Sequence, residues 1–183
     1  ESDGYEASLS HCREVSSDAG RIIPGLEFRF AGYPGLHLLA LGLDRWIQPL
    51  TPEAFITATR GRTGLTIVAH PILPAYQIPA AVRAGIDAIE VWNAVYNTRF
   101  LPDPKAIRIL HDIRRERPEV VGTAGLDQHD SWNDRYLRIR LLQPAVDVLA
   151  ELQAGRYFNV GRTRPFDPAI RRGGGPLALL SVG

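Results

Sequence analysis

Five side chains of metal-binding type lie in or beside predicted strands, most of them at strand ends. They are Glu27 at the end of RIIPGLEF, His37 in GLHLLALGL, His70 at the end of LTIVAH, and Asp127 and His129 just after EVVGTAG. Carboxylate oxygens and imidazole nitrogens are ligands that suit Zn, Mn and Fe in proteins. Together they predict a metal site built from residues that are far apart in the sequence.

The chemistry that this ligand set predicts is hydrolysis of phosphate esters. Two ions about 3.5–4 Å apart can polarise a phosphoryl oxygen and activate a water molecule at neutral pH. Asp127 and His129 are two residues apart, so on an extended segment both side chains point to one side and can bind adjacent ions. The sequence identifies no separate catalytic acid or base.

Two further polar residues, Asn93 and Arg99, end or follow the predicted strand IDAIEVWN. Asn93 can form hydrogen bonds beside a metal site or to a substrate. Arg99 can bind a substrate phosphate through its planar guanidinium group, although an ordinary surface arginine is the better-supported interpretation. We therefore predict a substrate-binding or supporting role for both residues.

Each of the predicted ligands also has a structural interpretation. His70 can be a histidine with structural hydrogen bonds, and His37 alternates with leucines and can lie on the solvent face of an edge strand. Glu27 can be a surface carboxylate, and Asp127 can form a turn. The metal hypothesis therefore depends on the five predicted ligands taken together, and it requires that they come close to one another in the folded chain.

Strands and helices alternate along the chain, and this order predicts how the ligands are held. The predicted strands are RIIPGLEF, GLHLLALGL, LTIVAH, IDAIEVWN, EVVGTAGLD, RYLRIRLL and RYFNVG; helices are predicted near the amino terminus and in TPEAFITATRGR, IPAAVRAG, DPKAIRILHDIRRERP and PAVDVLAELQAG. Such alternation favours a mainly parallel sheet or barrel with helices outside it. The carboxyl ends of parallel strands would then bring the ligands to one rim.

Length and composition favour a single domain over residues 1–183, with a Gly, Pro and Arg-rich tail at 165–183. Of the 183 residues 45% are hydrophobic, and the formal net charge is +1. This balance disfavours long nucleic acids as partners, because phosphate contacts along a strand need clustered Lys or Arg. Cys12 is the only cysteine, so an internal disulfide is excluded. No apolar run reaches the roughly 18 residues of a membrane span, and we expect a soluble, cytoplasmic protein.

Four short motifs follow one another in the order of a known metal-dependent family. IIPGLEF is similar to the PGxE segment, HLLALGL to the HxLxLG segment, TIVAHP to the AHP segment and GLDQHD to the SDxH segment of the PHP domain, named for polymerase and histidinol phosphatase. GIDAIEVWN also resembles the GIxxIExxN strand of that family. The resemblance covers about residues 22–161.

The resemblance implies a distorted (β/α)7 barrel with up to three divalent ions, Zn, Mn or Fe, at the strand carboxyl ends. Glu27 would bridge two ions, and His37 and His70 would complete the second. Asp127 would bind the first ion and His129 the third. The implied reaction is attack of a metal-activated water on a small phosphorylated substrate.

The sequence departs from the family pattern in two places. Leu126 stands where the family has a serine, and the HxH and TDH motifs that supply the remaining ligands of the first and third ions do not occur. We therefore expect that about two strands are missing at the amino terminus and that the chain is a fragment of a longer protein. Only the second ion would then keep its full protein ligand set.

Two other functions compete with the phosphoesterase hypothesis. The missing motifs favour a non-catalytic PHP-like module that keeps the fold for binding or scaffolding. An amidohydrolase-type metal hydrolase also carries histidines and carboxylates at strand ends, but it does not account for the PGLE and HLLALG segments. An HxH and a TDH motif upstream in the reading frame would favour the enzyme.

Overall fold

The structure of the chain is a computed structural model that describes residues 2–17, 20–62, 64–72, 76–96, 101–129, 137–144, 147–161 and 179–180. Arg99 and all of the predicted tail except 179–180 lie outside these residues. The described helices are α1 Ser2–Val15, α2 Pro52–Thr59, α3 Ala80–Gly85, α4 Pro104–Arg114 and α5 Val148–Gln153. None of them has the length and apolar character needed to cross a lipid bilayer.

Eight strands occur within the described ranges. They are β1 Gly25–Arg29, β2 His37–Leu41, β3 Leu65–Ala69, β4 Ala88–Asn93, β5 Val121–Gly125, β6 Leu137–Leu141, β7 Tyr157–Gly161 and β8 Leu179–Leu180. Every residue of β3 and of β4 is buried. This burial explains why both strands read as near-continuous apolar runs.

Two helices begin at the residues that their sequences predict. The Thr51 Oγ1 accepts a hydrogen bond from the Ala54 N–H at 3.1 Å, and Pro52 occupies the first turn of α2. The Asp103 Oδ1 accepts from the Lys105 N–H at 2.7 Å at the start of α4. Such caps satisfy N–H groups that have no partner within the helix.

The strands form two sheets, one in the order β1-β2-β3-β4-β5 and the other in the order β6-β7-β8. The pairs β1–β2 and β2–β3 are antiparallel, and β7 pairs antiparallel with both β6 and β8. Among the described strands, β1 and β5 are the two edges of the first sheet, and no closed barrel forms. The predicted (β/α)7 barrel is therefore wrong, and β1, β2 and β3 do not have the predicted parallel arrangement.

The short connection between β1 and β2 explains their antiparallel pairing. Residues 30–36 join the two strands, whereas a connection between parallel neighbours needs about a dozen residues or more. The Tyr33 N–H donates to the carbonyl of Phe30 at 3.2 Å, and the Leu36 N–H donates to the carbonyl of Tyr33 at 3.1 Å. Gly32 and Gly35, with φ of 83° and 80°, adopt a conformation that favours residues without a Cβ atom.

The chain divides into two compact units, one of Glu1–Ala69 with Leu73–Ala88 and one of His70–Ile72 with Ile89–Gly183. In the first unit, the fully buried Phe55 of α2 packs on Phe28 and Phe30, with ring centroids 5.2 and 6.2 Å away. In the second unit, a buried cluster contains Trp92, Ala94 and Leu137. The predicted single domain stays a prediction.

The burial of Tyr157 on β7 leads us to expect a loss of stability at alkaline pH. It is 5% exposed, and its hydroxyl donates to the carbonyl of Gly122 at 2.8 Å. Burial raises the pKa of Tyr157 to about 12, against about 10 for a tyrosine in an unfolded chain. The folded chain holds the phenolic proton more tightly than the unfolded chain does. The contribution of the protonated Tyr157 to the free energy of unfolding is therefore complete below about pH 10 and is lost as the pH rises through about 12.

We expect the Tyr157→Phe protein to lose less stability than the wild type between about pH 10 and pH 12, by a few kcal/mol at most. At neutral pH the same change costs about 0.5–1.5 kcal/mol, because one hydrogen bond is removed. Urea unfolding at a series of pH values measures both effects. Parallel pH profiles for the two proteins would contradict the expectation.

Candidate metal centre

Glu27, His37 and His70 come together in the structure. Each offers one ligand atom, and these atoms all lie within 4.8 Å of one another. Within this group, His37 Nδ1 and Glu27 Oε1 lie 2.6 Å apart. Within the part of the chain that the structure describes, this group of three could hold a metal ion.

The register of β1 against β2 explains why Glu27 and His37 meet. Glu27 faces Leu39, and Arg29 faces His37, so Glu27 and His37 are diagonal neighbours on one face of the sheet. Long side chains reach across such a diagonal. The two ligands therefore meet where the centre of β1 lies diagonally opposite the first residue of β2, whereas the sequence predicted a rim at the carboxyl ends of parallel strands.

His70 comes directly after β3 and has an unusual backbone conformation. Ala69, the last residue of β3, faces His37 in the β2–β3 register. In a regular strand the next side chain would point to the opposite face, but His70 has a φ of 29° and leaves the strand conformation. Backbone conformations of this kind cost about 1–3 kcal/mol and cluster at functional sites. The strain is therefore consistent with a functional role for His70.

Several contacts hold the segment that begins at His70. The Ile72 N–H donates to the carbonyl of His70 at 2.7 Å, and the Lys105 Nζ donates to the carbonyl of Ile72 at 3.2 Å. The ring of Tyr96 lies 5.0 Å from the imidazole of His70, centroid to centroid. Since His70 is 3% exposed, its imidazole has little freedom to move.

Solvent exposure increases across the group from His70 to Glu27. The side chain of His37 is 15% exposed and that of Glu27 is 32% exposed. Glu27 lies on β1, an edge strand, with the largely exposed Arg29 Nε 4.0 Å from its Oε1. A surface ion pair of this length contributes little to stability. The carboxylate is thus the part of the group most open to solvent.

Asp127 and His129 lie in the segment after β5. The side chain of Asp127 is 11% exposed, and its Oδ2 accepts a hydrogen bond from Asn93 Nδ2 at 3.3 Å. His129 is exposed, and its Nδ1 lies 2.9 Å from the carbonyl oxygen of Asp127. The group that could hold an ion includes neither residue among those the structure describes, and their role as ligands stays a prediction.

Glu90 is a residue of this region whose role was not predicted from the sequence. It is 5% exposed in the centre of β4, and its Oε2 accepts hydrogen bonds from the His70 N–H at 2.7 Å and from Asn93 Nδ2 at 3.1 Å. The signal in the sequence was a glutamate inside the apolar run IDAIEVWN. Glutamate is almost never fully buried unless it has partners.

The donor chemistry of Glu27, His37 and His70 fits a divalent transition metal. Two imidazoles and one carboxylate form a ligand set found in catalytic zinc sites, which keep a further position open for water or substrate. The same ligand types also bind Fe(II) in non-haem enzymes. The residues therefore fit the predicted cofactor class without selecting one metal.

Comparison of the sequence with protein-family models gives no match, and comparison with curated proteins also gives none. The similarity to the PHP domain therefore stays a prediction that depends on the four short motifs. The metal-binding potential of Glu27, His37 and His70 has separate support, because it follows from their positions in the structure.

Proposed function

We propose that the chain binds one divalent ion through Glu27, His37 and His70, and that this site serves the hydrolysis of a phosphate ester. The observation that carries the proposal is the approach of the three ligand atoms to within 4.8 Å of one another. A bound ion would supply a polarised phosphoryl oxygen and an activated water at neutral pH.

The three side chains would contribute to ion binding in different ways. His70 is buried and fixed by its turn, so it provides the rigid ligand. His37 is held by its 2.6 Å contact with the Glu27 carboxylate, which keeps two donors close before an ion arrives. Glu27 is the most exposed of the three and lies on the side from which an ion and a substrate can approach.

The choice of phosphate esters depends on the resemblance to the PHP domain. A small phosphorylated substrate is favoured over a long nucleic acid, because a formal net charge of +1 provides no broad basic surface. The missing HxH and TDH motifs support a second candidate, a module that binds metal without catalysis.

Metal titration of the purified chain tests the binding step. We expect about one Zn²⁺, Mn²⁺ or Fe²⁺ per chain by calorimetry and elemental analysis, and loss of this binding in Glu27→Gln, which removes the negative charge of a ligand. Glu53→Gln, at an exposed glutamate of α2, is the matched control and should bind as the wild type does. Binding that is absent in the wild type or unchanged in Glu27→Gln would contradict the proposal.

An assay with p-nitrophenyl phosphate separates the two candidate functions. Hydrolysis that requires the added metal and disappears in Glu27→Gln supports the phosphoesterase. Metal binding with no hydrolysis of this ester supports the non-catalytic module. The outcome for metal binding is the same in both cases, so the two steps of the proposal are measured separately.

A further inference from the structure

Two residues other than glycine have a positive φ in the described part of the chain, His70 at 29° and Asp127 at 47°. Both were predicted as metal ligands from the sequence. Residues with a side chain adopt this conformation at a cost, so the surrounding structure must hold them in place. The contacts of the two residues show what holds them.

Glu90 and Asn93 connect these two strained positions. The Glu90 Oε2 accepts from the backbone N–H of His70 at 2.7 Å. Asn93 Nδ2 is near enough to donate both to the same Glu90 oxygen, at 3.1 Å, and to the Asp127 Oδ2, at 3.3 Å. The Asn93 Oδ1 accepts from the Val95 N–H at 2.8 Å, which fixes the orientation of the amide. A continuous hydrogen-bonded path therefore joins His70 to Asp127 through two buried side chains of β4.

Gly125 provides the space that this arrangement needs. A Cβ atom at residue 125 would overlap the Oε1 of Glu90. The φ of Gly125 lies outside the left-handed region that favours glycine, so its backbone would accept alanine. A Cβ atom at this position could therefore be accommodated only if the carboxyl group of Glu90 moved.

We propose that Glu90 is a positioning residue that sets the backbone of His70 for metal binding, and that Gly125 is required to accommodate it. The hydrogen bond to the His70 N–H holds the turn at which the chain leaves β3, and this turn directs the imidazole. The consequence for metal affinity rests on the proposed function, whereas the effect on the His70 backbone does not.

The first test uses the metal-free chain. We expect amide exchange at His70, followed by NMR, to be at least about 10-fold faster in Glu90→Ala than in the wild type, because the N–H loses its buried acceptor. Glu90→Gln keeps an oxygen acceptor and should give an intermediate rate. Equal His70 exchange in wild type and Glu90→Ala, with both proteins folded, would overturn the proposal whether or not the chain binds metal.

The second test measures Co²⁺ affinity by the visible absorption of the bound ion, alongside the melting temperature. Loss of a group that orients a ligand typically lowers metal affinity by about 10–100-fold, and we expect a loss of this size in folded Gly125→Ala. Gly20→Ala is the control, because a Cβ atom there would meet nothing within 4 Å. A lower melting temperature with unchanged affinity would show a merely structural role and overturn the proposal.

A double variant keeps the proposal testable if Gly125→Ala does not fold. In a Glu90→Ala background the added methyl group has room, so Gly125→Ala should then cause little further change in His70 exchange or Co²⁺ affinity. Independent, additive effects would contradict an action through Glu90. A wild type that binds no Co²⁺ would refute the proposed function, while the exchange measurement still decides the role of Glu90.

Discussion

Replacing His37 by alanine is expected to lower the affinity of the chain for Zn²⁺ by more than about 100-fold, because loss of a ligand exceeds the roughly 10–100-fold effect of losing a supporting group. The substitution also removes the contact between His37 Nδ1 and Glu27 Oε1 at 2.6 Å. The remaining carboxylate and imidazole would then have to bind the ion as a pair. Competition with a chromophoric chelator measures the change.

The same change should abolish stabilisation by metal. A ligand present at 100 times its dissociation constant raises the free energy of unfolding by about 2.7 kcal/mol, and we expect this gain in the wild type but not in His37→Ala. His111→Ala, at an exposed histidine of α4, is the matched control and should keep the full gain. Loss of stabilisation in both variants would point to metal binding at scattered surface histidines.

Phe55→Ala is expected to reduce the free energy of unfolding by about 3–5 kcal/mol, as large-to-small changes at buried aromatic residues do. Phe55 is fully buried, and it packs α2 on Phe28 of β1 and on Phe30, the residue after β1. Side chains alternate along a strand, so Phe28 lies on the opposite face of β1 from Glu27. Urea denaturation of the two proteins measures the loss.

An exposed apolar residue provides the control for this prediction. Leu50 is 78% exposed just before α2, and Leu50→Ala should change the free energy of unfolding by no more than about 0.5 kcal/mol. Phe55→Leu, which keeps part of the buried volume, should lie between the control and Phe55→Ala. A loss below about 1 kcal/mol for Phe55→Ala would contradict the packing described for this unit.

Features set by neighbouring residues could be predicted from the sequence. Thr51 with Pro52, and Asp103 with Pro104, determine the starts of α2 and α4 through hydrogen bonds within three residues of the cap. Strand direction could not be predicted in the same way. The alternation of strands and helices favoured a parallel sheet, while the short connection at 30–36 required β1 and β2 to be antiparallel.

For the candidate site, too, the residue types could be predicted from the sequence but their spatial arrangement could not. Imidazoles and a carboxylate at Glu27, His37 and His70 were recognisable as ligand types. Their meeting depends on the registers of β1–β2 and β2–β3 and on the positive φ of His70, which no local pattern specifies. Glu90 could not be related to His70, because their contact spans 20 residues and involves a backbone N–H.

The contact of Lys105 with the carbonyl of Ile72 has a practical consequence. Lys105 is the only lysine in the sequence, and its Nζ lies 3.2 Å from a carbonyl oxygen two residues beyond His70. Within these 183 residues, an amine-reactive fluorophore would therefore modify one side chain, in addition to the terminal amine. The dye would lie beside the turn that carries a candidate metal ligand, and its emission would report on changes in that turn.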